Sequence, residues 1–322
     1  MSGTAPGGAP PGSYVEVGGG GRLRYRLDGE GGDGSPIVLI HPAFLDSRVW
    51  EPLIEGLAIN HPVVRNDVRG HGASTGRLAE ASDEDDLLAL LDHLGFDRAV
   101  LIGNSDGARI ASAFAHRHPE RVGGLVLIAG VPSDVQPTEV ERQHLEGSFE
   151  ERGGAFLRLV REDRKAEAVD LALRMFTLRA READRAWLRT IALENADRYA
   201  DYVLEESRRR DDADEGTAAW LERGSVPMLV VVGLHDDPVA RGMVQRFAER
   251  VPSARYVELT QGDHVPMVSA RPEFEAFLRE FLHRVEHHEK WPPDWIGYEA
   301  DPAGLPTGPP AGSEPSDERL AG

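Results

Sequence analysis

Residues able to build an activated serine stand along this 322-residue chain in the order Ser105, Asp236 or Asp237, His264. Ser105 is the centre of Gly103-Asn104-Ser105-Asp106-Gly107, a G-x-S-x-G. The apolar run Ala99-Val100-Leu101-Ile102 leads into it, and a helical pattern, Ala108-Arg109-Ile110-Ala111, leads out. Between a strand and a helix this motif reads as a nucleophile elbow. The turn is so tight that a side chain two residues to either side of the serine would clash, hence the glycines. The hydroxyl is held clear of the backbone at a helix N-terminus, where unpaired N–H groups and the helix dipole favour a developing oxyanion. Short glycine motifs also arise by chance in loops; the flanking strand and helix single this one out.

A serine needs a base, and the base needs an orienting acid. With a strand–elbow–helix nucleophile the expected chain order is Ser, then Asp or Glu, then His. Asp236 and Asp237 lie just past the run Met228–Gly233, and His264 just past Arg255–Leu259. Loops at the carboxyl ends of parallel strands share one edge of a sheet, so separation in sequence is no obstacle. The other histidines read differently. His41 and His71 are expected to hydrogen-bond loops beneath the site. His283, Glu286, His287 and His288 mimic ligand spacing, but there is no H-E-x-x-H and the stretch ends a solvated helix, so no metal is expected. The run Asp83-Glu84-Asp85-Asp86 is a charged helix start.

The elements that must position these groups follow from periodicity. Tyr14–Val17 and Leu23–Leu27 alternate apolar and polar residues around glycines and predict a hairpin with one exposed face. Ile37–His41, Pro62–Asn66, Ala99–Gly103, Leu125–Ile128, Met228–Gly233 and Arg255–Leu259 predict strands, most of them buried on both sides. Helices are predicted over Val49–Ala58, from the N-cap Ser82 to about Gly95, from Ser105 to about Arg117, over Val239–Arg250 and over Phe274–Val285. Strands alternating with helices imply a doubly wound, mostly parallel α/β sheet. That rhythm breaks at Pro132. Residues 133–225 read as helix after helix, an α-helical cap inserted between the two halves of the core, residues 13–132 and 226–286. Most of its apolar stripes must pack on one another; a minority face a pocket. Residues 1–12 and, in large part, 287–322 are rich in Gly, Pro and acids, and disorder is expected there. The cluster Trp291, Trp295, Tyr298 is read as folding back on the body.

Composition bounds the partners. A formal net charge of −19 disfavours nucleic acid and anionic membrane. There is no cysteine, which excludes disulfides, thiolate catalysis and Cys-ligated zinc. The start Met1-Ser2-Gly3-Thr4-Ala5-Pro6-Gly7 does not read as a secretory signal, and no apolar run reaches the ~20 residues of a membrane span. A cytoplasmic location is the expectation. Composition does not specify an oligomeric state.

Taken together the motifs resemble the α/β-hydrolase fold with a helical cap, over about residues 14–286. The resemblance is carried by the loop at His41, by Asp67-Val68-Arg69-Gly70-His71-Gly72, by the elbow, and by His116-Arg117-His118-Pro119-Glu120-Arg121-Val122. Gly233-Leu234-His235-Asp236 and Gly262-Asp263-His264-Val265-Pro266 complete it. It implies Ser105 as nucleophile, His264 as base and Asp236 as acid, three residues after Gly233, with Asp237 as the alternative. It also places the oxyanion hole at the N–H groups of Asp106 and Ala43. Where the family usually has His-Gly this chain has His41-Pro42; proline donates no hydrogen bond, so the second donor is Ala43 or Phe44.

Fold does not choose the reaction. A complete Ser-His-Asp set implies acyl transfer to water, on a small-molecule carboxylic ester, lactone or thioester, with no cofactor. Alternatives within the fold are C–C bond hydrolysis, since Gly103-Asn104-Ser105 resembles the elbow of meta-cleavage product hydrolases, and cofactor-free perhydrolase chemistry. A non-catalytic small-molecule receptor is the reading from another class. Phe149, Phe156, Phe176, Trp187 and Tyr199 are the cap aromatics expected at the pocket wall. Asp106 either only compensates the helix dipole or sets a carboxylate beside the reacting carbon; Ser105-Asp106-Gly107 resembles the sequence of valacyclovirase-like esterases, which accept amino-acid esters. Some preference for esters bearing a nearby amine over neutral isosteres is expected from it, and a partner such as Arg109 or a substrate ammonium is expected beside it.

Overall fold

The computed structural model describes residues 12–76, 82–148, 151, 153–201, 215–224 and 226–289. The cluster Trp291, Trp295, Tyr298 and the cap residue Phe149 lie outside them, as do most residues of the two expected tails.

Eight strands form one sheet: β1 Ser13–Val17, β2 Gly21–Asp28, β3 Ile37–Ile40, β4 Val63–Asn66, β5 Ala99–Asn104, β6 Val122–Ile128, β7 Met228–Gly233 and β8 Ala254–Leu259. Their order is β1-β2-β4-β3-β5-β6-β7-β8. β2 runs antiparallel to both β1 and β4, and every other pairing is parallel. The chain steps from β3 outward to β4, then returns past β3 to β5, so the strand order reverses between β3 and β5. Doubly wound sheets open a crevice at such a reversal, beyond the carboxyl ends of the strands.

Burial explains the apolar runs. Ile37, Val38, Leu39 and Ile40 are all essentially inaccessible. Successive side chains of a strand point to opposite faces. Ile37 and Leu39 enter one core with Trp50, Leu53, Phe274 and Phe281. Val38 and Ile40 enter the other with Leu90, Phe114 and Phe247. The hairpin, at the sheet edge, buries Val15 and Val17 and leaves Tyr14 and Glu16 exposed.

The helices that cover the sheet include Glu51–Leu57, Asp83–Leu94, Asp106–Arg117, Pro238–Arg250 and Arg271–Glu286. Ser82 caps the second of these by accepting the N–H of Asp85, and Gly95 ends it at φ 69°. Between β6 and β7 lie the helices Glu139–Ser148, Gly154–Arg161, Lys165–Phe176, Glu182–Glu194 and Thr217–Leu221. The third and fourth of these lie over the carboxyl edge of the sheet, where Val169, Leu173, Leu188 and Ile191 join the core on the Trp50 side. Thr217–Leu221 instead packs on Asp106–Arg117, with Ala218 and Leu221 in the opposite core. Among the described residues no helix is long and apolar enough to cross a membrane.

Candidate active site

Ser105 follows β5 directly in a strained conformation, φ 56° and ψ −113°, and caps the helix Asp106–Arg117. For a residue with a side chain a positive φ is uncommon, and it persists only where the surroundings enforce it. Here the surroundings are close-packed backbone. A Cβ on Gly103 would lie 2.1 Å from the carbonyl oxygen of Gly107, and one on Gly107 would lie 2.2 Å from that of Ile40. The Ser105 N–H is spent on Ile128 O at 2.7 Å, which anchors the elbow to β6. Gly130, just past β6, is a third close approach: a Cβ there would lie 2.5 Å from Ser105 O. Its sequence signal, an isolated glycine after an apolar run, is too common to have singled it out.

His264 and Asp236 come together because two loops touch without side chains between them. A Cβ on Gly233 would meet Gly262 C at 2.3 Å and Asp263 O at 2.4 Å. His235 N–H bonds Gly262 O at 2.9 Å. The result sets His264 Nδ1 2.9 Å from Asp236 Oδ2 and 3.1 Å from Oδ1, with both residues buried. An ionised carboxylate only accepts, so Nδ1 carries the proton and Nε2 is left to accept. Burial disfavours the imidazolium. The charge and hydrogen bond of Asp236, with Asp263 and Asp237 behind it, outweigh that and hold the His264 pKa above its ordinary value.

Asp237 is engaged elsewhere. Its Oδ1 caps the helix Pro238–Arg250, accepting the N–H groups of Val239 and Ala240, and its Oδ2 lies 3.2 Å from His144 Nε2. Burial opposes the charge of Asp237, but His144 and the two helix N–H groups prevail and hold its pKa below the usual carboxylate value. Of the two neighbouring acids, Asp236 is the one that faces the histidine.

Across the crevice, Pro42–Leu45 form a turn closed by Leu45 N–H to Pro42 O at 3.1 Å. Neither Ala43 N–H nor Phe44 N–H has a protein acceptor among the described residues. Two histidines hold this turn from below. His41 Nε2 accepts Val68 N–H at 2.9 Å, so its protonated Nδ1 donates to Pro42 O at 2.9 Å. His71 Nε2 lies 2.7 Å from Ala43 O. Burial first, and the neighbouring His41 second, push the His71 pKa down to about 4. Both imidazoles are inaccessible and serve the turn, the role expected of them from the sequence.

Two further residues have roles that the sequence did not assign to them. Asn104, inaccessible, donates from Nδ2 to Ile128 O at 3.1 Å and to His264 O at 3.0 Å, tying the elbow to the histidine loop. Asp263, also inaccessible, accepts Arg179 N–H at 2.8 Å and Ala180 N–H at 3.2 Å at Oδ2. Its Oδ1 accepts Val265 N–H at 3.1 Å and Ser269 Oγ–H at 2.7 Å. A carboxylate beside the histidine thus holds the chain that follows the helix Lys165–Phe176. The signal available was a second acid beside the histidine in Gly262-Asp263-His264-Val265, but its partners Arg179 and Ala180 are distant in sequence.

Ser105, Asp106, Ala43, Phe44 and His264 all border one cavity of about 400 Å³. Of the cap aromatics, Phe176 and Tyr199 line it. Phe176 stacks on Phe44 with 4.8 Å between ring centres and lies 4.8 Å from the His264 ring. Phe156 and Trp187 do not reach it. Phe156 is buried among Ala168, Ala172 and Ala200 in a core of its own, edge-on to Tyr199. Trp187 packs against the core on the Trp50 side. Amphipathic spacing identifies an inward face of a helix, but a cap has two interiors, its own and the one over the pocket. Among the described residues no group of three or more His, Asp or Glu is arranged to hold a metal ion.

Known proteins bear on this geometry. The family description "alpha/beta hydrolase fold" matches residues 36–270. The pimeloyl-[acyl-carrier protein] methyl ester esterase of Aeromonas hydrophila is 26% identical over 263 residues, 78% of this chain and 96% of that protein. The dihydrolipoyllysine-residue acetyltransferase component of the acetoin cleaving system of Pseudomonas putida is 39% identical over 124 residues, and the match spans only 33% of that protein. Among solved structures, the enol-lactonase from Burkholderia xenovorans LB400 superposes with a TM-score of 0.67 at 26% identity, covering 84% of this chain and 100% of that one. The match runs from just before β3 to Ala270, past His264, and so takes in the elbow, the Asp236 loop and the His264 loop on one sheet; the chain belongs to the alpha/beta hydrolase fold family and is a hydrolase.

Proposed function

We propose that the protein is a serine hydrolase of small-molecule carboxylic esters, lactones or thioesters, working through an acyl-enzyme. Ser105 Oγ attacks the carbonyl carbon while His264 Nε2 takes its proton. Asp236 stabilises the imidazolium through Nδ1. The tetrahedral oxyanion is received by the N–H of Asp106, at the positive end of the helix, and by that of Ala43 or Phe44 in the Pro42–Leu45 turn. Collapse expels the alcohol, which leaves with the proton from His264. Water, deprotonated by His264, then attacks the acyl carbon, and the acid departs as Ser105 recovers its proton.

The observation that carries this reading is the pairing of His264 Nδ1 with both oxygens of Asp236 at the rim of the cavity that Ser105 enters with φ 56°. It orients the base and leaves Nε2 as the acceptor for the serine proton. C–C bond hydrolysis draws less support. The Asn104 amide, the residue that suggested it, donates to Ile128 O and His264 O and holds backbone in place. The test is labelling with a fluorophosphonate and hydrolysis of an aryl acetate. Wild type should label and turn over, and Ser105→Ala should do neither while keeping its melting temperature. A variant retaining more than about a few per cent of the rate is incompatible with an acyl-enzyme on Ser105.

A further inference from the structure

The cap helix Glu182–Glu194 ends at Asn195, a residue only 1% exposed whose amide spans two loops of the core. Its Oδ1 accepts Gly72 N–H at 2.8 Å. Its Nδ2 donates to Asp46 Oδ2 at 2.9 Å and to Ile191 O at 2.9 Å. A carboxylate and a carbonyl on one side, with an N–H on the other, leave the amide a single orientation. Both core partners flank the grip on the Pro42–Leu45 turn. Asp46 follows the turn directly and caps the short helix Ser47–Trp50 by accepting Arg48 N–H at 3.0 Å. Burial opposes the charge of Asp46, but Arg48 and then Asn195 outweigh it and hold its pKa below the usual carboxylate value. Gly72 follows His71, whose Nε2 meets Ala43 O at 2.7 Å. A Cβ on Gly72 would lie 2.2 Å from Asp67 Oδ2, so this loop too is packed without slack. Arg198, also from the cap, donates to Gly72 O.

Resting on the serine-hydrolase reading, we propose that Asn195 is a positioning residue of the reaction: it couples the seating of the cap to the shape of the oxyanion turn, so that the N–H of Ala43 or Phe44 is aimed at the oxyanion only while the cap is docked. The argument is one of rigidity. The turn is closed by Leu45 N–H to Pro42 O, and its direction is set by what holds its flanks. An oxyanion donor is effective when it has no need to reorganise as charge develops. Asn195 bonds at once to the residue after the turn and to the backbone beside the histidine beneath it, and so fixes the two flanks against each other. It does this from 149 and 123 residues away in sequence, as part of the cap.

The test uses an aryl acetate and an alkyl trifluoromethyl ketone, whose adduct on Ser105 carries the oxyanion that the turn receives. Asn195→Leu, close in size, removes all three side-chain bonds. It should lower kcat about tenfold, raise the ketone inhibition constant by a similar factor and leave KM within about twofold. Asn195→Asp sets two carboxylates face to face and should lose more. Adding Asp46→Asn to it restores the bond with donor and acceptor exchanged, and keeps acceptors for Gly72 N–H and Arg48 N–H. That pair should recover kcat to within about threefold of wild type. A merely structural tether predicts an earlier melt with kcat and ketone affinity unchanged, and that result overturns the inference while the hydrolase reading stands. So does a loss confined to KM, which would act through Tyr199, whose N–H bonds Asn195 O at 2.9 Å and which lines the Ser105 cavity. If Asn195→Leu does not fold, the exchange decides, and no recovery on adding Asp46→Asn overturns the inference as well. A wild type that neither turns over the ester nor forms the ketone adduct overturns the hydrolase reading, and this inference with it.

Discussion

Arg109 Nε lies 2.7 Å from Asp106 Oδ1, and the same guanidinium reaches Asp83 Oδ2 at 2.8 Å. The carboxylate that follows the serine is thereby matched by a cation of its own helix, three residues on. An unmatched carboxylate at this point would oppose the oxyanion; a matched one leaves the helix terminus free to receive it.

Arg109→Met should therefore lower kcat on a neutral ester by about tenfold, a change of about 1.4 kcal/mol in the barrier. Adding Asp106→Asn should restore most of it, because the offending charge is then gone. Kinetics of the two single variants and the double variant measure the coupling. The same cycle reads substrate charge. Wild type should hardly distinguish an α-amino ester from its deaminated analogue, and Arg109→Met should favour the amine. Strictly additive losses would show that Asp106 and Arg109 do not act on the reaction as a pair.

Asp236→Asn should cost on the order of 10⁴ in kcat, since the amide allows the wrong imidazole tautomer. Asp237→Asn should cost little in rate. Asp237→Ala should cost about 1 kcal/mol of stability through the lost helix cap. Steady-state kinetics beside thermal melts separate the two roles. Equal rate losses in both would contradict the division of labour between neighbouring acids.

Asp263→Asn sets an NH₂ against N–H groups that need an acceptor. It also removes a charge that helps hold the His264 pKa up. The variant should melt earlier, and the acid limb of its kcat/KM profile should move to lower pH. Wild-type activity rises as His264 loses its proton, so its limb lies above the ordinary histidine value. A variant that melts earlier with an unshifted limb would make Asp263 a purely structural residue.

His71 predicts how folding responds to acid. Its pKa is about 4 folded against an ordinary 6.5 unfolded. Between those values the unfolded chain binds the proton and the folded chain does not. Stability is therefore undiminished above about pH 6.5 and falls as pH drops toward about 4, by about 3 kcal/mol in all from this group. His71→Gln should flatten that part of a denaturant-midpoint-against-pH curve. His264, shifted the other way, contributes stability below its unfolded value and loses it as pH rises through its folded one. The two slopes are thus separable by comparing His71→Gln with His264→Gln.

Much of the frame is written locally. The apolar runs, the Ser82 cap, the Gly95 stop and the G-x-S-x-G signal their elements because strand burial, helix capping and tight turns act over a few residues. The strand order reversal at β3 and β5 follows once those elements are fitted to a doubly wound sheet. Ser105 and His264 were therefore legible from sequence, and Asp236 was legible up to its neighbour.

Only the tertiary structure chose between Asp236 and Asp237, because adjacent side chains diverge and the close contact of Gly233 with the Gly262 loop decides which one meets the imidazole. It also showed that Arg109, the first of the two expected partners, is the one beside Asp106, and that Asp263 and Asn104 hold backbone 24 to 160 residues away in sequence. Among the cap aromatics it separated Phe176 and Tyr199 from Phe156 and Trp187. All four sit on helices, and the hydrophobic effect that buries them is non-directional. Which of two apolar interiors a ring enters depends on how the helices pack over the sheet, and no local pattern in the chain carries that.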